Sequence, residues 1–250
     1  MDNSIQSKIV SHLIPASEGV NVADVRIGLG YTCVQLDNDN MGVAWTANND
    51  AGSCTHENRA GKLAGSPASE LLEMLEWDEK PLSRTIGLAT ANALVAGLPD
   101  RKYAEKDAFD IVDVNAEDKV VMVGFFGPVI PKLKQTGCKL DILELKSNRP
   151  GTISPEDGRK ELAECSVAII TATSIITGTF NDLIAGLGNP RAVIVLGPST
   201  LMYPPAFNDT PVTHLAGSLI KNTSGVKKIV SEGGGTMILK QYLDFKTVCM

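Results

Sequence analysis

The stretch VVMVGFFGP, residues 120–128, decides the fold of this chain. Its first four residues are apolar, which is typical of a parallel strand that is covered on both faces of its sheet. Gly124 and Gly127 then mark a tight turn, and Pro128 suits the first turn of a helix. A buried strand that passes through a glycine turn into a helix indicates an α/β fold of the doubly wound type.

The rest of the C-terminal part repeats this alternation of strands and helices. Apolar runs predict four further strands at 140–145, 167–171, 191–196 and 213–216. Helical patterns after Pro128, around 181–187 and at 225–232 predict right-handed crossovers and a parallel sheet. We therefore predict a Rossmann-like domain over residues 101–250. The pattern of residues 236–250 predicts neither a helix nor a strand.

Residues 1–100 have a different organisation and predict a smaller α+β domain. A first helix ends at Pro15, where the ring of proline stops helical hydrogen bonding. Three short runs, at 22–27, 31–36 and 41–46, then predict the strands of an antiparallel meander. Two helical patterns follow, one that begins near residue 66 and one at 81–96. Elements arranged in such blocks are typical of α+β units.

Composition excludes several classes of protein. The net charge is −6 and no long basic run occurs, so neither nucleic acid nor an anionic membrane is an expected partner. Five scattered cysteines without a C-x-x-C pair argue against a disulfide framework and a structural zinc module. The amphipathic N-terminus lacks the apolar core of a signal peptide, which predicts a cytoplasmic protein. A homodimer with two-fold symmetry is the commonest assembly and is our expectation.

The turns that follow the predicted strands hold the candidate ligand-binding residues, because open α/β sheets bind ligands beyond the carboxyl ends of their strands. Each turn is rich in glycine or hydroxyl groups. The candidates are Gly124, Phe125, Gly127 and Pro128 after the first strand, Thr173, Ser174, Thr177 and Thr179 after the third, and Gly197, Pro198 and Ser199 after the fourth. Tight turns and helix caps would use the same residue types, so both interpretations stay open.

Glu144 lies twenty positions after Gly124, near the end of the second predicted strand. Nucleotide-binding folds place there the acid that binds ribose hydroxyls. The preceding turn is G-x-x-G-P rather than G-x-G-x-x-G, and an acid at the end of a strand is common without any ligand. The sequence thus leaves a nucleotide site as one of two interpretations.

Cys54 and His56 are the candidate metal ligands. They occupy alternate positions in a glycine-rich stretch without periodicity, so a thiolate and an imidazole there could share a transition metal. An exposed polar loop is the competing interpretation. His214, at the fifth predicted strand, could reach the ligand edge as a general base, or it could be a strand histidine with satisfied hydrogen bonds.

Four motifs together resemble a known prokaryotic family, described as a "putative heavy-metal chelation" domain and associated with anaerobes. They are IGLA at 86–89 with NAL at 92–94, VGFFGP at 123–128, ITATS at 170–174 with TGT at 177–179, and GPST at 197–200 with Pro205 and Phe207. The resemblance implies an N-terminal domain similar to that of enolase, a Rossmann-like C-terminal domain and a site between them. Thr177 stands where such families usually carry asparagine.

Three functions remain open from the sequence. The first is binding or handling of a metal or an anionic metal chelate in a cleft between the two domains. The second is a nucleotide- or S-adenosyl-dependent enzyme that acts on a small molecule, and the third is a non-catalytic interaction protein. No nucleophile–base pair or common catalytic motif is evident, so the sequence leaves open whether the protein is an enzyme.

Overall fold

A computed structural model of the protein describes residues 4–47, 56–77, 80–99, 101–144 and 151–250. It contains a three-stranded antiparallel sheet in the N-terminal half and a six-stranded, mostly parallel sheet in the C-terminal half. Among the described residues, no helix is both long and apolar enough to cross a membrane.

The N-terminal half follows the prediction closely. Its elements are α1 (Ile5–Leu13), β1 (Val22–Ile27), β2 (Tyr31–Leu36), β3 (Met41–Trp45), α2 (Ala68–Trp77) and α3 (Pro81–Ala96). Ser4 caps α1 by accepting a hydrogen bond from the N–H of Ser7. The turn between β2 and β3 places Asp39 at a φ of 67°, a conformation that the short polar side chain of aspartate tolerates.

The C-terminal half is built around the large sheet. Its elements are α4 (Ala108–Val112), β4 (Lys119–Val123), α5 (Ile130–Gln135), β5 (Lys139–Leu143), α6 (Pro155–Glu164), β6 (Val167–Thr171), α7 (Thr173–Thr177), α8 (Phe180–Ala185), β7 (Ala192–Leu196), β8 (His214–Ile220), α9 (Thr223–Ser231), α10 (Thr236–Leu239) and β9 (Leu243–Cys249).

The strands of this sheet lie in the order β5-β4-β6-β7-β8-β9, and only β9 runs antiparallel to its neighbour. The predicted doubly wound α/β class is confirmed. From β4 the chain first moves outward to β5, then crosses back to β6 on the other side of β4 and continues in that direction. The carboxyl ends of β4 and β6 therefore form a topological switch point.

Several elements of this half differ from the prediction. Helices α4 and α6 lie where no helix was predicted. Strand β8 continues to Ile220, beyond the predicted end at residue 216, because it pairs along its whole length with β9. Strand β9 itself lies in the unassigned tail; its mixed burial follows from its position at the sheet edge. The hydroxyl-rich segment expected as a loop contains the short helix α7.

The apolar core is continuous between the two halves. Ile9, Leu71 and Ile86 of the N-terminal half belong to one cluster with Ile170 and Val195 of the large sheet. The other face of that sheet packs in a second cluster, which includes Ala108 of α4 and Leu133 of α5. The N-terminal half therefore covers one face of the sheet. The division into domains at residue 100 stays a prediction.

Candidate functional site

Three of the predicted turns lie at one edge of the large sheet. Gly124, Thr173 and Gly197 come after β4, β6 and β7, which are neighbouring parallel strands. The N–H of Ala172 bonds to the carbonyl of Leu196 at 3.0 Å, so the turns after β6 and β7 are directly connected. The sequence thus brings the turns to the same edge, as the parallel order of the strands requires.

The ring of Phe126 lies against two of these turns. Gly124 and Gly197 have φ values of 94° and 125°, which side chains rarely adopt. A Cβ atom at either glycine would lie 3.6 Å from the Phe126 ring, and one at Gly124 would also lie 3.1 Å from the Cβ of Thr171. The space above the carboxyl ends of β4 and β7 is therefore occupied by an aromatic ring.

The hydroxyl groups after β6 form two local pairs. The hydroxyl oxygens of Thr171 and Thr173 are 3.0 Å apart, and those of Thr177 and Thr179 are also 3.0 Å apart. Ser174 is buried and donates to the carbonyl of Thr171 at 2.7 Å, which fixes the first turn of α7. Thr179 occupies the N-cap position of α8, yet its hydroxyl makes no capping hydrogen bond. The capping interpretation therefore does not account for this hydroxyl.

Ser199 lies in the contact between the two halves. Its side chain is buried, and its hydroxyl oxygen accepts a hydrogen bond of 2.8 Å from the N–H of Trp45 on β3. The amide of Asn92 on α3 donates both to the carbonyl of Val43 and to that of Ser199. The cavity beside these residues measures about 20 Å³, room for about one water molecule. Ser199 joins the two halves here, and its role in ligand binding stays a prediction.

The remaining candidates lie apart from these turns. Glu144 follows β5 directly and is half-buried. Cys54 lies outside the described residues, whereas His56 is exposed, so the proposed metal pair stays a prediction. His214 begins β8 and is therefore at the amino edge of the sheet, opposite the ligand edge that a general base would have to reach. Burial lowers the pKa of its imidazole.

A cavity at the carboxyl edge has a volume of about 510 Å³ and is lined by residues of the C-terminal half. Pro128, Gly197 and Pro198, three of the predicted ligand residues, line it together with Phe126. Leu196 and Ala216 form part of its apolar floor. Its position on the face opposite the N-terminal half differs from the predicted cleft between domains.

Four lysines surround this cavity, and we call it the lysine-rimmed cavity: Lys106, Lys132, Lys240 and Lys246. Glu105 and Asp107 are the acidic lining residues. The ammonium of Lys132 donates to Asp107 at 2.9 Å, and that of Lys246 is 3.2 Å from Asp244. Within the described part of the chain, Lys106 and Lys240 form no ion pair. The rim thus carries a positive excess in a protein whose net charge is −6.

Asp107 shows how this rim is organised. Burial raises the pKa of its carboxyl, but the ammonium of Lys132 and the N–H groups of Phe109 and Asp110 outweigh burial and hold the pKa below its usual range. The same carboxyl caps α4 by accepting both N–H groups. An anion placed in the cavity would therefore have to compete with Asp107 for Lys132, whereas the ammonium groups of Lys106 and Lys240 form no ion pair with a described residue.

The sequence did not indicate one residue, Arg84, that lies beside the predicted hydroxyl groups. It is half-buried on the first turn of α3, and its Nε atom is buried without a hydrogen-bond partner. A Cβ atom at Gly178 would lie 2.9 Å from Nη1 of Arg84. A lone arginine in a mostly buried helix carries no local signal of this contact, because Gly178 is distant in the sequence.

The fold and this edge define a class: an α/β protein in which a small α+β half covers one face of a doubly wound sheet. The chain belongs to the DUF364 family, whose model matches residues 107–249 and is described as "Putative heavy-metal chelation". A second model with the same description, DUF4213, matches residues 10–95. The resemblance drawn from the sequence motifs is thereby confirmed.

Individual relatives agree with this assignment. An uncharacterized protein of Methanocaldococcus jannaschii is 24% identical over 245 residues, which cover 94% of this chain and 93% of that protein. The crystal structure of a DUF364 protein of unknown function from Pyrococcus horikoshii aligns with a TM-score of 0.85 and 19% identity, over 98% of this chain and 100% of that one. A second, from Desulfitobacterium hafniense, aligns with a TM-score of 0.81 and 21% identity, over 98% and 99%. These likenesses establish the fold.

Proposed function

We propose that the protein binds an anionic small molecule, a metal chelate or its free chelator, in the lysine-rimmed cavity. One observation carries the proposal: four lysines surround an apolar floor in an otherwise acidic protein. Ammonium groups around a partly desolvated cavity attract and orient carboxylate or phosphate groups. The family description, heavy-metal chelation, supports a chelate as the class of ligand.

In this proposal the chelator supplies most of the metal's ligands. Among the residues that the structure describes, no group of three or more histidine, cysteine or acidic side chains is placed to hold a metal. The protein would then recognise the negative charge and the apolar surface of the complex. Cys54 and His56 remain candidates for completing the coordination of a soft transition metal.

The test is titration calorimetry with ferric citrate and with free citrate at low ionic strength. The variant replaces Lys106 and Lys240 together by glutamine, and the control replaces the exposed Lys62 and Lys160 in the same way, so both lose two charges. We expect the cavity variant to bind about ten-fold more weakly and the control to bind like the wild type. Equal weakening in both variants, or no saturable binding to the wild type, would refute the proposal.

A nucleotide or S-adenosyl ligand is the second candidate, and the position of Glu144 favours it. Gly124 donates its N–H to the carbonyl of Leu143 at 2.9 Å, which places the glycine turn beside the end of β5 and thus beside Glu144. The ring of Phe126 argues against it, since it fills the space above Gly124 that a pyrophosphate would need.

Titration with ATP, NAD and S-adenosylmethionine separates the two candidates. A nucleotide site predicts saturable binding that Glu144→Ala weakens about ten-fold. It also predicts that Phe126→Ala leaves binding intact or strengthens it, because the smaller side chain opens the turn. No binding of any of the three at millimolar concentration would reject this candidate and leave the chelate proposal unaffected.

A further inference from the structure

We propose that Arg84, together with the hydroxyl groups of Thr177 and Thr179, forms a second anion-binding site where the two halves of the protein meet. It is distinct from the lysine-rimmed cavity, none of whose lining residues it shares. The group it would take is an oxyanion, either a carboxylate or a phosphate of a small molecule.

The position of Arg84 is the first argument. The residue belongs to the N-terminal half, but its Nη1 lies 2.9 Å from the position that a Cβ atom of Gly178 would take. Gly178 itself lies between α7 and α8 of the C-terminal half. Gly178 has a φ of 78°, and it ends α7 in the left-handed conformation. Glycine therefore serves two purposes here: it permits the turn, and it leaves room for the guanidinium.

The missing partner of Arg84 is the second argument. Its Nε is enclosed and has no hydrogen-bond acceptor among the described residues. A charged donor left without an acceptor away from water is unfavourable, and folded proteins keep few such groups. Arginine presents a planar fork of N–H groups that matches two oxygens of a carboxylate or phosphate. An anion would supply the acceptor that the described residues do not.

The hydroxyl pair is the third argument. Thr177 and Thr179 flank Gly178, their side chains are half-buried, and Gly178 itself is exposed, so a solute can reach them. Thr177 donates to the carbonyl of Ser174 over a long 3.4 Å, a bond that a ligand oxygen can replace. The first turn of α3, to which Arg84 belongs, contains no acidic residue that would compete for the anion. A ligand would meet the terminal amino groups first, and a small rotation of the guanidinium would add Nε.

The experiment measures the thermal shift caused by inorganic phosphate, sulfate and citrate at tens of millimolar. We expect them to raise the Tm of the wild type by at least about 2 °C, and that of the control Arg159→Gln equally, because Arg159 is an exposed arginine on α6. So that the lysine-rimmed cavity contributes little, both changes are made in the Lys106→Gln/Lys240→Gln background. There Arg84→Met should lose the shift that remains, and Arg84→Lys should retain part of it. Which anion acts best distinguishes a carboxylate from a phosphate ligand.

Stability without ligand separates binding from a structural role. If Arg84 serves to bind a ligand, Arg84→Met removes a guanidinium that lacks a partner for its Nε, and the Tm without ligand should stay unchanged or rise. A response to the three anions that Arg84→Met leaves undiminished in that background would overturn the proposal, whatever the Tm without ligand, and so would a wild type that responds to none of them. The lysine-rimmed cavity is tested by Lys106 and Lys240, so the two proposals fail independently.

Discussion

The carboxylate of Asp118 is held by the guanidinium of Arg191 through hydrogen bonds of 2.9 and 2.6 Å. The pair joins the residue before β4 to the residue before β7, at the edge of the sheet opposite the ligand edge. Ser166, which precedes β6, donates to the same carboxylate at 2.7 Å. One buried acid thus connects the starts of three parallel strands, so that their carboxyl ends, which carry the candidate site, are aligned.

The pH dependence of stability should report this contact. The hydrogen bond from Arg191, against the opposing effect of burial, lowers the pKa of Asp118 from 3.8 to about 2. Because the folded pKa is below the unfolded one, the stabilisation is complete above about pH 4 and is lost as the pH falls towards 2. We expect Asp118→Asn to lower the free energy of unfolding by about 2 kcal/mol at pH 7, measured by urea denaturation.

The difference between wild type and Asp118→Asn should therefore shrink between pH 4 and pH 2. The exposed Asp209 provides the control, since its side chain is 84% exposed and its contact with Lys8 is 3.5 Å long. Asp209→Asn should change stability by less than about 0.5 kcal/mol. A difference for Asp118→Asn that stays constant over this range would contradict the assignment.

Gly124 and Gly127 offer a matched pair for the glycine turn. Gly124→Ala places a Cβ 3.1 Å from that of Thr171 at a positive φ, and we expect it to cost about 1–2 kcal/mol in the free energy of unfolding. A Cβ at Gly127 would meet only the ring of Phe125, at an ordinary 3.8 Å. Gly127→Ala should be nearly neutral. Similar losses in the two variants, measured by thermal denaturation, would contradict this account.

Ser199 should contribute to the stability of the fold rather than to ligand binding. Ser199→Ala leaves the N–H of Trp45 without its acceptor in the contact between the halves, and we expect a loss of about 1–2 kcal/mol by urea denaturation. Ser11→Ala, at an exposed position of α1, is the control. Affinity for ferric citrate should not change. Weaker binding with full stability would instead assign Ser199 to the ligand site.

Thiol labelling at pH 8 should distinguish the cysteines. Burial raises the pKa of Cys33 to about 12 and that of Cys165 to about 11, whereas Cys249 is exposed. Since the thiolate is the reactive form, Cys249 should be labelled at least about 100-fold faster than either buried cysteine. Peptide mass spectrometry of the native protein measures the three rates. Labelling of Cys33 as fast as that of Cys249 would show that the meander of β1–β3 opens readily.

The sequence by itself determined the type of most elements, the mostly parallel direction of the strands in the large sheet and the place of the glycine turns. Residues 120–123 are apolar without alternation because both faces of β4 are covered, and this is a local property that a sequence displays directly. The meander in the N-terminal half could also be predicted from local pattern, and its three strands lie within a residue of their predicted bounds. The edge where the turns gather follows from the parallel direction of their strands.

Only the tertiary structure decided what occupies that edge. The ring of Phe126 lies over two glycines, the tail folds back as β9, and four lysines from separate segments meet around one cavity. Arg84 meets Gly178 across 94 positions of the chain, counted from their residue numbers. Hydrophobic periodicity reports which face of one element is buried, but it carries no information about which distant side chains come together, since that depends on the packing of whole elements.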